Sequence, residues 1–292
     1  MENGARIGLA WPSFLTCIVV LVVLLGADSW WGGMGSGSVL GGPSMGNGHP
    51  APATTIEVHV ELSPAIVHGP LVRCIDFWFY GDCDVAPVPC TAEIAFDNPL
   101  TPGIGSAIIA VGAACPVDIE DVSVVTAIDP LHTLRSVGEL DHESETLIVR
   151  FEGNPEEGGH WLVGGNLDAW NPDTSPANGG TINILDFGVF VGQYLRNYSE
   201  GSTACGASGP HADINGDGVV DGLDFAFIVD NFLAQSESLE CDPLGTDPNP
   251  LAEISVAELI ELGLEQLVVA DLNRDGWLNV DDMILFRRKR LR

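Results

Sequence analysis

Two twelve-residue stretches, 213–224 and 271–282, constrain this chain more than anything else in it. They read Asp-Ile-Asn-Gly-Asp-Gly-Val-Val-Asp-Gly-Leu-Asp and Asp-Leu-Asn-Arg-Asp-Gly-Trp-Leu-Asn-Val-Asp-Asp. Each places an oxygen-bearing side chain at positions 1, 3, 5, 9 and 12. In the first these are Asp213, Asn215, Asp217, Asp221 and Asp224; in the second, Asp271, Asn273, Asp275, Asn279 and Asp282. Val219 and Trp277 at position 7 offer a main-chain carbonyl. That spacing wraps a loop around a hard cation, with position 9 often acting through water. Gly218 and Gly276 stand where the chain must turn sharply. Oxygen donors without Cys or His select Ca²⁺ rather than zinc. One such string alone can be a solvated Asx-rich turn. Two complete matches, each running into an apolar helical pattern, favour calcium.

Position 12 is Asp in both loops, where Glu is commoner, so the following helix must approach the ion more closely. Together with an apolar residue at position 8 and no clear helix entering the loop, this resembles dockerin type I repeats. These are paired calcium modules of secreted bacterial proteins, and their usual partner is a cohesin domain. The resemblance covers about the last 130 residues. It implies attachment to a cohesin-like extracellular protein. Dockerins often accompany polysaccharide-degrading modules, so it also keeps a glycan-directed role open.

An interrupted copy lies upstream. Asn166, Leu167 and Asp168 align with positions 1 to 3, and residues 180–186 align with positions 6 to 12, ending in Asn183 and Asp186. An insertion rich in Pro, Asn and Ser, 169–179, separates the two ends. Phe187, Phe190, Val191 and Tyr194 then match Phe225, Ile228, Val229 and Phe232 at helical spacing, which buries one face. The insertion leaves two readings of Asn166, Asp168, Asn183 and Asp186: a third calcium site, or a vestigial loop kept for its helix. In the last copy Met283 and Phe286 keep the pattern before a basic end, Arg287, Arg288, Lys289, Arg290 and Arg292. Those cations complement a helix C-terminus and an acidic body.

The formal net charge is −30, with a single lysine. Such a surface repels nucleic acid. It suits a chain that folds with divalent cations present. Arg6 followed by the apolar run 14–25 reads as an export signal over 1–29, too short for a bilayer-spanning helix. Export fits the cysteines: Cys17 leaves with the signal, and six remain. Cys205 and Cys241 bracket loop 213–224 and are expected to pair with each other. The connectivity of Cys74, Cys83, Cys90 and Cys115 is not legible.

Residues 30–53 are rich in Gly, Ser and Pro and read as a linker. From 54 to 163 short apolar runs alternate with Pro and Gly, as in Ile56, Val58, Val60 and Leu62, which predicts a β-sandwich. Residues 164–292 form the repeat region, with a capping box at Ser255 and Glu258 opening one more helix. The expected fold is therefore multidomain β plus α, a small disulfide-containing sandwich followed by helical, dockerin-like calcium-loop repeats. Catalysis finds no anchor. Gly42-Pro-Ser44-Met-Gly46 lacks the strand and helix of a nucleophile elbow, and the histidines are scattered. The expectation is a secreted calcium-binding attachment protein. The alternative is a glycan-binding or carbohydrate-active one, favoured if Trp78 or Trp161 forms an exposed flat face.

Overall fold

The computed structural model describes residues 55–62, 71–82, 85–96, 103–112, 115–143, 146–167, 180–199, 202–239 and 251–290. The expected signal, the linker, Asp168, the insertion 169–179, Cys83 and Cys241 lie outside them. Strand β1 (Thr55–Glu61) alternates as its sequence predicts, with Ile56, Val58 and Val60 fully buried. It pairs antiparallel with β4 (Ile104–Ala110) and parallel with β8 (Thr146–Phe151). The edge of that sheet is β7 (Glu139–Glu143), giving the order β4-β1-β8-β7. A second sheet has the order β3-β2-β5-β6, from β2 (Val72–Tyr80), β3 (Val88–Ala95), β5 (Val124–Ile128) and β6 (Ser136–Val137).

The two sheets bury their inner faces against each other. Phe77 of β2 meets Phe151 of β8 with ring centroids 5.9 Å apart. At Gly105 on β4 the sheets come so close that a Cβ would lie 2.5 Å from the Ile94 side chain on β3. Aromatic and β-branched residues fill such half-buried pleated surfaces well. The described residues are thus mostly β, with four short helices: α1 (Ile184–Gln193), α2 (Gly222–Asp230), α3 (Val256–Glu261) and α4 (Val280–Arg290).

The helices pack through equivalent positions of the repeats. Phe187 and Phe190 of α1, Phe225 of α2 and Phe286 of α4 form one aromatic cluster, with Phe190 and Phe225 stacked at 5.5 Å. Helix α3 opens on the expected capping box of Ser255 and Glu258. Its apolar residues are only partly core: Leu259 is buried, whereas Ile260 is 57% exposed.

The sandwich and the repeats are not separate bodies. Residues 49–292 form one compact unit, so the expected boundary at 163/164 falls inside it. Two disulfides are described, Cys74–Cys205 and Cys90–Cys115. The expected Cys205–Cys241 bond is therefore wrong, because Cys205 is bonded to the sandwich. The reason is an open strand edge. β5 pairs with β2 only from Asp76 to Tyr80, leaving the start of β2 uncovered. Residues after α1 cover it: the Cys74 amide donates to Thr203 O at 3.1 Å, and the Thr203 hydroxyl donates to Val72 O. Covering a bare edge satisfies main-chain groups that would otherwise be orphaned. The Cys74–Cys205 bond spans 131 residues, which in the chain-entropy model is worth about 5 kcal/mol.

A buried polar cluster makes the same junction. Arg73 sits on the inward-facing series of β2 and is fully buried. Its guanidinium donates to Asp129 Oδ2 at 3.3 Å and to the carbonyl of Ile214, inside loop 213–224, at 2.7 Å. His132 lies beside it and bonds Asp129 through Nδ1 at 2.8 Å. Nε2 of His132 meets Nδ1 of His211 at 2.8 Å, and Nε2 of His211 meets the Ser202 hydroxyl at 2.9 Å. Burial alone would raise Asp129. The charges around it, with bonds from His132 and the Leu131 amide, outweigh that and hold it well below the usual carboxylate range. Burial and the adjacent Arg73 push His132 down to about 4, so at neutral pH it is uncharged and the cation facing Asp129 is Arg73. A neutral buried His destabilises the fold once acid protonates the unfolded chain first. Its contribution is complete above the ordinary value of 6.5 and is lost as pH falls toward 4. The loss is on the order of 3 kcal/mol. Melting temperature followed from pH 7 to 4.5 should therefore fall more steeply for the native protein than for His132→Asn. Parallel slopes would show that His132 is not the acid-sensitive group.

Candidate functional site

Each loop is built on the same hydrogen-bonded frame, set by the carboxylate at position 12. Asp224 Oδ1 accepts from the Ile214 and Asn215 amides at 2.7 and 3.0 Å, and Oδ2 from the Asp221 amide at 2.8 Å. Asp282 does the same with Leu272, Asn273 and Asn279 at 2.8, 3.2 and 3.1 Å. Position 9 caps the helix that follows: Asp221 accepts from Leu223 and Asn279 from Asp281. Asp at 12 is short, so it can brace positions 2 and 9 only if helix and loop lie close together. Gly218 and Gly276 both take φ of +89°, as the turn at position 6 requires.

The interrupted copy has the same frame. Asp186 Oδ1 accepts from the Leu167 amide and Oδ2 from the Asn183 amide, both at 2.6 Å. Asn183 caps α1 by accepting from Leu185 at 2.7 Å. The chain therefore brings 166–167 and 180–186 together across the insertion, as the alignment expects. Asn166 is buried and donates to Thr133 O at 3.2 Å, which ties this loop to the sandwich. Position 8 is apolar and fully buried in all three copies, as Ile182, Val220 and Leu278. Short bridges run beside it, joining Thr181 to Gln235, Asn197 to Val219, and β9 (Ile254–Ser255) to β10 (Trp277–Leu278).

The two complete loops differ in setting. Asp213 and Asn215 are buried against the sandwich, and a Cβ on Gly216 would overlap the Leu71 side chain. Asn273 and Asp275 are exposed, as is Trp277 at 45%. In the first loop Asp213 accepts from the Gly216 and Gly218 amides, each at 2.9 Å. Asp217 accepts from the Val219 amide at 2.9 Å and from the Asn215 side chain at 3.0 Å. In the second, Asp271 Oδ2 accepts from Gly276 at 3.1 Å, but its Oδ1 is buried with no hydrogen-bond partner. Asn273 and Asp275 bond each other at 2.8 Å, as the equivalent pair does.

Among the described residues no three Asp, Glu, His or Cys side chains are gathered as a ready-made metal group. The cause is visible: the carboxylates are turned onto loop amides. Their electrostatics still call for a cation. Burial raises Asp213, Asp282 and, most of all, Asp224, which is pushed up to about 7 despite three amide bonds. A buried carboxylate oxygen left without a partner, such as Asp271 Oδ1, costs about 1–3 kcal/mol or more. A hard oxygen-seeking cation would remove both penalties, so these residues fit Ca²⁺. Asp213 and Asp217 also line a cleft of about 260 Å³, shared with Tyr198 and Ser202, that gives access to the first loop.

The sequence did not foresee the Asp129, His132, His211 and Ser202 chain. A serine hydroxyl on a histidine has the outline of a nucleophile and its base. Here Arg73 lies against His132, and protonation of either imidazole is opposed by that guanidinium as well as by burial. A base must hold a proton near the working pH. The chain forms a buried hydrogen-bonded network around Arg73, whose Nε lacks a partner. Trp78 and Trp161 are each half-buried, so neither forms the exposed flat face that a glycan would stack on. No helix among the described residues is long and apolar enough to cross a membrane. No protein-family model matches the chain, and the search of curated proteins returns no match.

Proposed function

We propose that this is an exported calcium-binding attachment protein whose dockerin-like repeats are ordered by Ca²⁺ and dock a cohesin-like extracellular partner. The observation that carries the reading is the pair of equivalent loops, each framed by its position-12 carboxylate, one of which leaves a buried Asp271 oxygen without a partner. Asp213, Asn215, Asp217, the Val219 carbonyl, Asp221 and Asp224 would hold one ion. Asp271, Asn273, Asp275, the Trp277 carbonyl, Asn279 and Asp282 would hold the other. Bound calcium supplies charge neutralisation and coordinate bonds, not redox or acid–base chemistry. The interrupted loop keeps the frame without an intact set of donors, which fits a structural role there.

Two disulfides suit an oxidising compartment, in line with export. Exposed apolar residues on the repeat elements, Leu223, Val229, Val280 and Ile284, offer contact area for a protein partner. The glycan-directed alternative draws no support from the half-buried tryptophans.

Saturating calcium should raise the melting temperature of the exported chain by on the order of 5 °C or more, since each site at a hundredfold excess over its Kd adds about 2.7 kcal/mol. EDTA should reverse the rise, and an unchanged melt with no bound calcium would sink the metal reading. Calcium-dependent capture from the producing cell's surface fraction should retain a cohesin-like protein. Asp213→Ala combined with Asp271→Ala should abolish that capture. Retention by the double variant at the native level would show that docking does not need the ordered loops.

A further inference from the structure

We infer that Arg73 is a built-in countercation for loop 213–224, holding it in its ion-binding shape with no ion present, so that loop 271–282 alone depends on calcium for its order. The inference rests on the calcium reading above. Its basis is a contrast between two loops of nearly the same sequence. Arg73 reaches into the first one from β2, and its Nη2 donates to the Ile214 carbonyl at position 2. The amide of the same residue donates to Asp224. A single residue, Ile214, therefore links the guanidinium to the position-12 carboxylate, and the Asn215 amide of the same peptide unit as its carbonyl also donates to Asp224. Arg73 also lies within electrostatic range of Asp213 and Asp224. Both oxygens of Asp213 are occupied by loop amides.

Packing adds to this. Leu71 closes over Gly216, and Asp213, Asn215 and Asp224 are buried. With four carboxylates in a dozen residues, an ion-free loop of this kind repels itself, and a fixed buried cation offsets that repulsion more effectively than solvent does. Arg73 cannot leave with a chelator. Loop 271–282 has no counterpart among the described residues. The cation nearest in sequence is Arg274, at position 4, which is exposed and takes a left-handed φ of +63°. Exposed charges are screened and contribute little. Its position-1 carboxylate keeps the oxygen that lacks a partner. Both differences point the same way: without calcium, the first loop is satisfied and the second is not.

The experiment is amide hydrogen exchange on the full exported chain, in EDTA and in calcium. It follows the equivalent amides Ile214 and Leu272, which donate to position 12, and Gly218 and Gly276, which donate to position 1. In EDTA, Ile214 and Gly218 should be protected at least about tenfold more than Leu272 and Gly276, and calcium should close the gap by protecting the second pair. Equal protection of the two loops in EDTA would overturn the inference. Removing the buried pair together, Arg73→Met with Asp129→Asn, should cost Ile214 and Gly218 at least about tenfold of their EDTA protection, with calcium restoring it. Unchanged protection in that variant would also overturn it. Should the variant fail to fold, the native comparison decides alone. Calcium that protects no amide in either loop would instead refute the calcium reading, leaving the EDTA result to judge Arg73.

Discussion

The fold turns on one buried cation. Arg73 occupies an inward-facing place on β2 that alternation assigns to an apolar side chain, and it brings a full charge into the interior. A buried charge is tolerated only when it is paired and hydrogen-bonded. Asp129 supplies the pairing, the turn at 129–133 positions Asp129, and His132 from the same turn fills the remaining space. The last acceptor is a carbonyl from a loop 141 residues further along the chain. Neither the sandwich nor the loop can satisfy this arginine alone. That dependence explains why one compact unit exists where the sequence suggests two domains. The Cys74–Cys205 bond, the cover over the start of β2, and the bonds from Arg135 and Val137 to Glu237 reinforce a junction whose polar centre is already committed.

The repeats divide their work between bracing and charge. The position-12 carboxylate braces the chain in all three copies, spending its oxygens on amides at positions 2 and 9. Positions 1, 3 and 5 provide the remaining charge. Bracing and charge are separable, because the first needs one Asp and a helix start, while the second needs the intervening residues at fixed spacing. The aromatic cluster of Phe187, Phe190, Phe225 and Phe286 packs together the helices that follow those braces.

Legibility followed the range of the interaction. Local patterns were plain: alternation in β1, the apolar runs of β2 and β8, the Ser255 capping box, the glycine turns, and the repeat register across the insertion. Strands β3 and β7 were not read. β3 carries Pro89, and β7 reads Glu-Leu-Asp-His-Glu, as suits edge strands that a periodicity search passes over. The Cys205 partner was misread because proximity in sequence favoured Cys241, whereas the true partner depends on where β5 stops pairing with β2. Arg73, His132 and His211 were individually unremarkable. Their meaning comes from a tertiary meeting point that no local pattern encodes. For the candidate site the donor residues were all legible, but the difference between the two loops was not. It arises from what the sandwich places behind one of them.

The insertion at 169–179 can be weighed on the same terms. It enlarges the loop from twelve residues to the twenty-one of 166–186. Closure entropy grows only logarithmically, so slightly less than a doubling costs about 0.5 kcal/mol. The contacts that hold α1 in place are untouched: Leu167 and Asn183 still donate to Asp186, and Phe187 and Phe190 remain fully buried. A loop whose structural value lies in its two ends tolerates such a change at little expense. A cation cage tolerates it less well, since the donor at position 5 falls in the interrupted stretch. Insertion is therefore affordable where the sandwich and the aromatic cluster fix the helix. In loop 271–282, whose position-1 oxygen lacks a partner and whose Asn273 and Asp275 face solvent, the same insertion would break up the spacing of the donor set.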